Sequence, residues 1–209
     1  MKRKILMVIG VFLLGALIAA PNAFAYSYPN IDDIVKFADG PGTTNGGEYV
    51  MMSNDGLTTY MNTFCVETSE YIVYGQPFLV NAYETPSNGA AYLYYHFAMG
   101  TLTGYNYGTD ASANALQKAI WQFQGQTGGA TNSFYDMALS ATDAEIAIAL
   151  QHVVVLDLLW NVNYNSKYRI GTPAQDVLAF RTPVPEPMSL MLFGLGLLGL
   201  AGFARRFKK

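Results

Sequence analysis

The residue pattern predicts an α+β fold: an antiparallel β-sandwich or barrel-like sheet with two or three helices packed on it or inserted between its strands. Three observations lead there. Short apolar runs divided by Gly, Pro and Asn turns occupy residues 49–83. Two stretches with helical spacing follow, over 89–99 and 110–123. No repeat of roughly 20 to 50 residues is visible, which removes solenoids.

Taken in order, Asp32-Asp33 reads as the capped start of a helix. Residues 49–52 and 60–68 read as strands joined across an Asn54-Asp55-Gly56 turn. Residues 71–83 read as two short strands broken at Gly75-Gln76-Pro77. The first helix carries Ala90, Ala91, Leu93 and Phe97 at helical spacing and stops at Gly100. The second is capped by Asp110 or Ser112, runs to about Phe123, and is closed by the glycines at 125–129. A third starts near Thr142-Asp143, where Glu145 stands three residues after Thr142 in a capping-box pattern. Residues 153–160 and 177–180 read as the last strands.

The two ends carry address signals. Lys2, Arg3 and Lys4 precede an apolar core over 5–20, and Ala23-Phe24-Ala25 offers small residues for signal peptidase, with the cut after Ala25. At the other end Pro185-Glu186-Pro187 precedes a charge-free stretch over 188–203, followed by Arg205, Arg206, Lys208 and Lys209. Such a stretch enters a bilayer and stops with its cations on the cytoplasmic side, though 16 residues are few for a span. Val184 and the Pro-Glu-Pro triplet before this segment closely resemble the PEP-CTERM sorting signal of Gram-negative bacteria. That resemblance implies processing by a membrane-embedded exosortase, transient anchoring through the tail, and a final place at the cell surface or in the extracellular matrix. The expected organisation is a signal peptide over 1–25, an exported body over 26–183 and a sorting signal over 184–209.

Removing the ends changes the charge. Seven of the 12 Lys and Arg lie in the terminal segments, and of 15 acidic residues only Glu186 does. That leaves 5 cations against 14 carboxylates, a net charge of −9. Such a body disfavours nucleic acid and any anionic polysaccharide held by charge attraction. Cys65 is the sole cysteine, so no internal disulfide exists. Two readings of it stay open: a small buried hydrophobe, or a sulfur used in chemistry or between chains.

Two motifs bear on that choice. Phe64-Cys65-Val66-Glu67 lies in an expected strand, and Leu116-Gln117-Lys118-Ala119-Ile120-Trp121 in the second helix. On that helix Ala113, Leu116, Ile120 and Phe123 form the buried stripe, with Gln117 at its edge and Trp121 beside it, one turn on. A thiol placed against a primary carboxamide permits one reaction: sulfur attacks the side-chain carbonyl, ammonia leaves, and an internal thioester remains. Placement drives it, and shielding by aromatic groups keeps water out. The pair resembles the thioester domains of bacterial surface adhesins, in which an aromatic-Cys-hydrophobic-polar segment precedes a Gln-x-Ala-hydrophobic-Trp helix. The resemblance implies a Cys65–Gln117 cross-link with Trp121 in support, and a protein that acylates a surface target or polysaccharide once rather than turning over as an enzyme. Leu116 stands where many adhesins have Thr.

Glu67, two residues past Cys65, shares its face if the segment is a strand, and so orients or deprotonates a nucleophile or is merely solvated. His96 reads as a packed residue of the first helix, and His152 opens a strand without an evident partner. Two histidines without a cluster make poor zinc ligation, and no phosphate loop, nucleophile elbow or calcium loop is present, so no cofactor or metal is expected. A papain-like use of Cys65 with either histidine lacks that family's local sequence. The alternative reading is a non-catalytic structural or interaction protein of the extracellular polysaccharide matrix, with a buried, unreactive cysteine.

Overall fold

A computed structural model describes residues 28–43 and 46–181 of the chain. The segments expected to carry the signal peptide and the sorting signal, with Ala25, Pro185, Glu186, Pro187, Arg205 and Arg206, lie outside the described residues. Six strands form one antiparallel sheet: β1 (Ile34–Thr43), β2 (Gly46–Ser53), β3 (Thr59–Thr63), β4 (Phe78–Glu84), β5 (Val153–Trp160) and β6 (Val177–Phe180). Their order across the sheet is β3-β2-β1-β4-β5-β6. Just past β3 the chain meets β6: Leu178 N–H donates to Phe64 O (3.0 Å), Val66 N–H to Asp176 O (3.1 Å), and Cys65 bridges Val177. The sheet therefore closes almost into a barrel.

Four helices pack on its outside: α1 (Asn88–Ala98), α2 (Asp110–Phe123), α3 (Ser133–Leu139) and α4 (Asp143–His152). The expected capping box at Thr142 and Glu145 is complete, each side chain bonding the other residue's backbone N–H. Among the described residues this makes four helices, not two or three. The seven residues of α3 are too few to show a helical period. They are held by Asn132, whose Oδ1 accepts from Phe134 and Tyr135 N–H while its Nδ2 donates to Ala115 O.

Three expectations change. The segment after Asp32-Asp33 is strand β1, not a helix, with Asp32 in the left-handed region (φ 71°) as a turn residue. Residues 71–77 are not a strand, and β4 begins only at Phe78. The expected strand over 60–68 ends at Thr63, beyond which only the Cys65 bridge continues it.

Two apolar clusters result. Val35, Phe37, Met51, Phe78, Leu158 and Trp160 belong to the barrel interior. Phe64, Val66, Leu93, Tyr94, Leu116 and Ile120 belong to the layer between sheet and helices. Strand β6 serves both, Val177 and Ala179 in one and Leu178 and Phe180 in the other, as period-two alternation requires. On β5 both Val155 and Leu156 are buried, in different layers, near a register shift in its pairing with β4.

Candidate functional site

The seam between β3 and β6 decides where Cys65 points its backbone. In an antiparallel ladder the neighbours of a bridging residue bond one way while that residue's own N–H and C=O face the other. Phe64 and Val66 spend their groups on β6, so those of Cys65 face away, toward the edge that β2 leaves open. Gln117 occupies that place. Its Oε1 accepts from Cys65 N–H (3.1 Å) and its Nε2 donates to Cys65 O (2.7 Å), so one side-chain amide stands in for the peptide of an adjacent strand. Both residues are wholly buried.

Helix α2 is set in that position by the end of β1. Asp110 Oδ1 accepts from Gly42 N–H (2.8 Å) and Asn114 Oδ1 from Thr43 N–H (3.0 Å), two turns and one turn before Gln117. Gly46 at the start of β2 lies against the glutamine. A Cβ there would stand 2.6 Å from Gln117 Cγ and 3.0 Å from Trp121 Cη2, and its φ of +130° also favours glycine. The sequence reading missed Gly46; the adjacent Gly46-Gly47 pair, had it been read inside a strand, would have signalled this close approach. Gln117 sits deeper than the stripe edge anticipated for it, and Phe123 less deep than its place in the stripe implied.

The Cys65 thiol meets Tyr49. Tyr49 pairs with Thr63 in the β2–β3 ladder, so Cys65, two residues on, is its diagonal neighbour. Burial pushes the thiol up to about 12, and the Tyr49 hydroxyl, its hydrogen-bonding side chain, acts in the opposite sense. Burial likewise raises Tyr49 far above the ordinary phenol value, with the Cys65 sulfur adding to it. The thiol is therefore protonated at neutral pH. Nothing in the local sequence marked Tyr49 for this position; the strand register supplies it.

Glu67 lies close enough to Cys65 to influence it, but its carboxylate is engaged: Oε1 accepts from Asp176 N–H (3.1 Å). Burial raises both acids, Asp176 to about 7. His96 Nδ1 is 2.8 Å from Thr101 Oγ1, between the rings of Tyr92 and Tyr95. His152 ends α4 rather than opening β5, and stacks on Phe180. Neither histidine is among the groups acting on the thiol.

A cleft of about 640 Å³ opens beside the pair, with Tyr49, Trp121 and Gly46 in its wall. Trp121 is 8 % exposed, and its indole N–H has no partner among the described residues. Among these residues there is no cluster of three or more His, Cys, Asp or Glu fit to hold a metal, and no helix long and apolar enough to cross a membrane.

Residues 183–208 match the family described as the PEP-CTERM protein-sorting motif. That motif implies an exported protein, anchored for a time by its C-terminal segment and handled by a membrane exosortase. The match covers the tail and none of the described body. No curated protein and no solved structure matches the chain.

Proposed function

We propose that this exported protein forms an internal thioester between Cys65 and Gln117 and uses it once, as a covalent adhesin of the cell surface or extracellular matrix. The observation that carries this reading is the pair of hydrogen bonds holding the buried Gln117 carboxamide on the Cys65 backbone. A primary amide fixed on the backbone of the only cysteine has lost the rotational freedom that an intermolecular acyl transfer must surrender. The sulfur adds to the Gln117 carbonyl carbon, the C–N bond breaks, and the thiol proton leaves with the amide nitrogen as ammonia. Tyr49 supports the step by standing beside the sulfur, where its hydroxyl relays the proton. Trp121 and Gly46 close the pair off from water. Attack by an external hydroxyl or amine then breaks the C–S bond, returns a proton to sulfur and leaves the target acylated by residue 117. The cross-link joins positions 52 apart, and by loop-entropy reasoning it adds about 4 kcal/mol to stability. The same bond thus serves as a brace in a chain without disulfides.

A second reading has its own support. The Gln117 amide completes a β-ladder at the seam, a purpose it fulfils without any covalent bond, and a thiol raised to about 12 is poorly nucleophilic. On that account the body is a structural or interaction protein of the polysaccharide matrix. Intact mass before and after methylamine separates the two. The thioester reading expects a mass one ammonia below the sequence value, then methylamine uptake with release of one titratable thiol. Sequence mass with an unreactive thiol and Gln117 unconverted to Glu overturns it in favour of the second.

A further inference from the structure

The cleft beside Cys65 and Gln117 has features that the acyl chemistry alone does not require. Two tyrosines in it, Tyr71 and Tyr74, are 55 % and 48 % exposed, yet both are held in place. Tyr74 donates its hydroxyl to Asp39 Oδ1 (2.8 Å), and its ring leans on Tyr49 at 5.9 Å. Tyr71 meets the ring of Tyr168 edge to face at 6.3 Å and carries the Lys167 ammonium 5.7 Å from its ring centre. Exposed rings that are already fixed bind a ligand with little further loss of conformational freedom. The volume falls within the range of small-molecule sites.

Charge narrows the ligand. Glu70 and Lys118 line the cleft, and Asp39 and Lys167 sit against its tyrosines, two charges of each sign, so the cleft has no net charge to attract an ion. Lys118 follows Gln117 directly in the chain, which sets a like charge against an incoming ammonium, while the acidic body disfavours anions. What remains is an uncharged ligand with apolar faces and many hydroxyls. We infer that this cleft binds a neutral saccharide chain, with a sugar ring stacked on Tyr71 or Tyr74 and a ring hydroxyl directed at the wall formed by Tyr49 and Trp121. That the hydroxyl is also the acyl acceptor rests on the thioester reading above; the binding itself does not. In that step the hydroxyl oxygen adds to the Gln117 carbonyl carbon, the C–S bond breaks, and the hydroxyl proton passes to the Cys65 sulfur, leaving an ester and a free thiol.

Calorimetric titration of the full-length chain with cellohexaose, maltohexaose and chitohexaose tests the inference. At least one is expected to saturate a single site in the millimolar range or tighter. At least one of Tyr71→Ala and Tyr74→Ala, both at exposed positions, should weaken it about tenfold. Cys65→Ala should lose the saccharide mass adduct that the wild type acquires. Reversible saccharide binding without any adduct leaves the inference standing and removes the thioester reading. No binding of any of the three sugars overturns the inference, as does binding that survives both tyrosine substitutions. Spermidine saturating the site where the sugars fail overturns it in favour of a cationic acceptor.

Discussion

The barrel interior and the layer under the helices are equally sealed from water, yet the buried carboxamide of Gln117 and carboxylate of Glu48 both lie in the second. The interior is filled by Phe37, Met51, Phe78 and Leu158, with the indole N–H of Trp160 as a polar group that finds no partner among the described residues. The helix side contains buried Gln117, bonded to Cys65, and Glu48, bonded to Tyr105 and Asn62, while the Trp121 indole N–H there has no partner among the described residues. The difference follows from where the ladder is complete. Interior side chains hang from strands whose peptides are already paired, so shape and apolar area suffice. Beside the seam the backbone leaves regular pairing after Thr63, and side chains from the helices must meet the exposed peptide groups. The candidate chemistry lies in that second region because only there does a reactive amide have a structural reason to be buried.

Truncation on each side measures the contrast. Trp160→Ala empties the interior of a wholly buried ring that leans on Phe78 and stacks on Tyr168. Loss of about 3–5 kcal/mol is expected, read from urea unfolding. Gln117→Ala should cost less in packing but leave Cys65 N–H and C=O unpaired, a loss of about 2–3 kcal/mol, and it should abolish any methylamine uptake. If Gln117→Ala proves as harmless as a surface change, the glutamine does not complete the ladder and the contrast between the layers fails.

A smaller effect sharpens the comparison at the seam itself. Asp176 precedes β6, and burial raises its carboxyl to about 7 although Leu158 N–H donates to it (2.9 Å). The unfolded chain releases that proton near the ordinary carboxyl value, so the folded state retains it over a range where the unfolded state does not. Its contribution to stability is therefore full below about pH 4 and is lost as pH rises through about 7. Thermal unfolding followed from pH 4 to 8 should show this decline. Asp176→Asn, which keeps an acceptor for Leu158, should flatten it.

Much of the fold was legible because its cause is local. The Thr142–Glu145 box, the Asn54-Asp55-Gly56 turn, the apolar run of β5 and the buried stripe of α2 depend on residues within a turn or two of one another. Strand β1 was not: only Val35 and Phe37 alternate cleanly before Gly40-Pro41-Gly42, and pairing with β2 makes the strand rather than intrinsic preference. At the candidate site the sequence named Cys65, Gln117 and Trp121 but not Tyr49 or Gly46, whose places depend on strand register.

By itself, then, the amino-acid order determined the sorting motif at residues 183–208, the α+β class, most element positions, and the two motifs that bear a thiol and an amide. Each is a matter of composition or of neighbours along the chain. Only the tertiary structure decided that the Gln117 amide faces the Cys65 backbone, that Tyr49 stands at the sulfur, and that two anchored tyrosines face solvent in the adjoining cleft. These arrangements join residues brought together by closure of the sheet and by the docking of α2 on the end of β1. Long-range closure of that kind depends on how whole surfaces fit, which no short window of sequence contains.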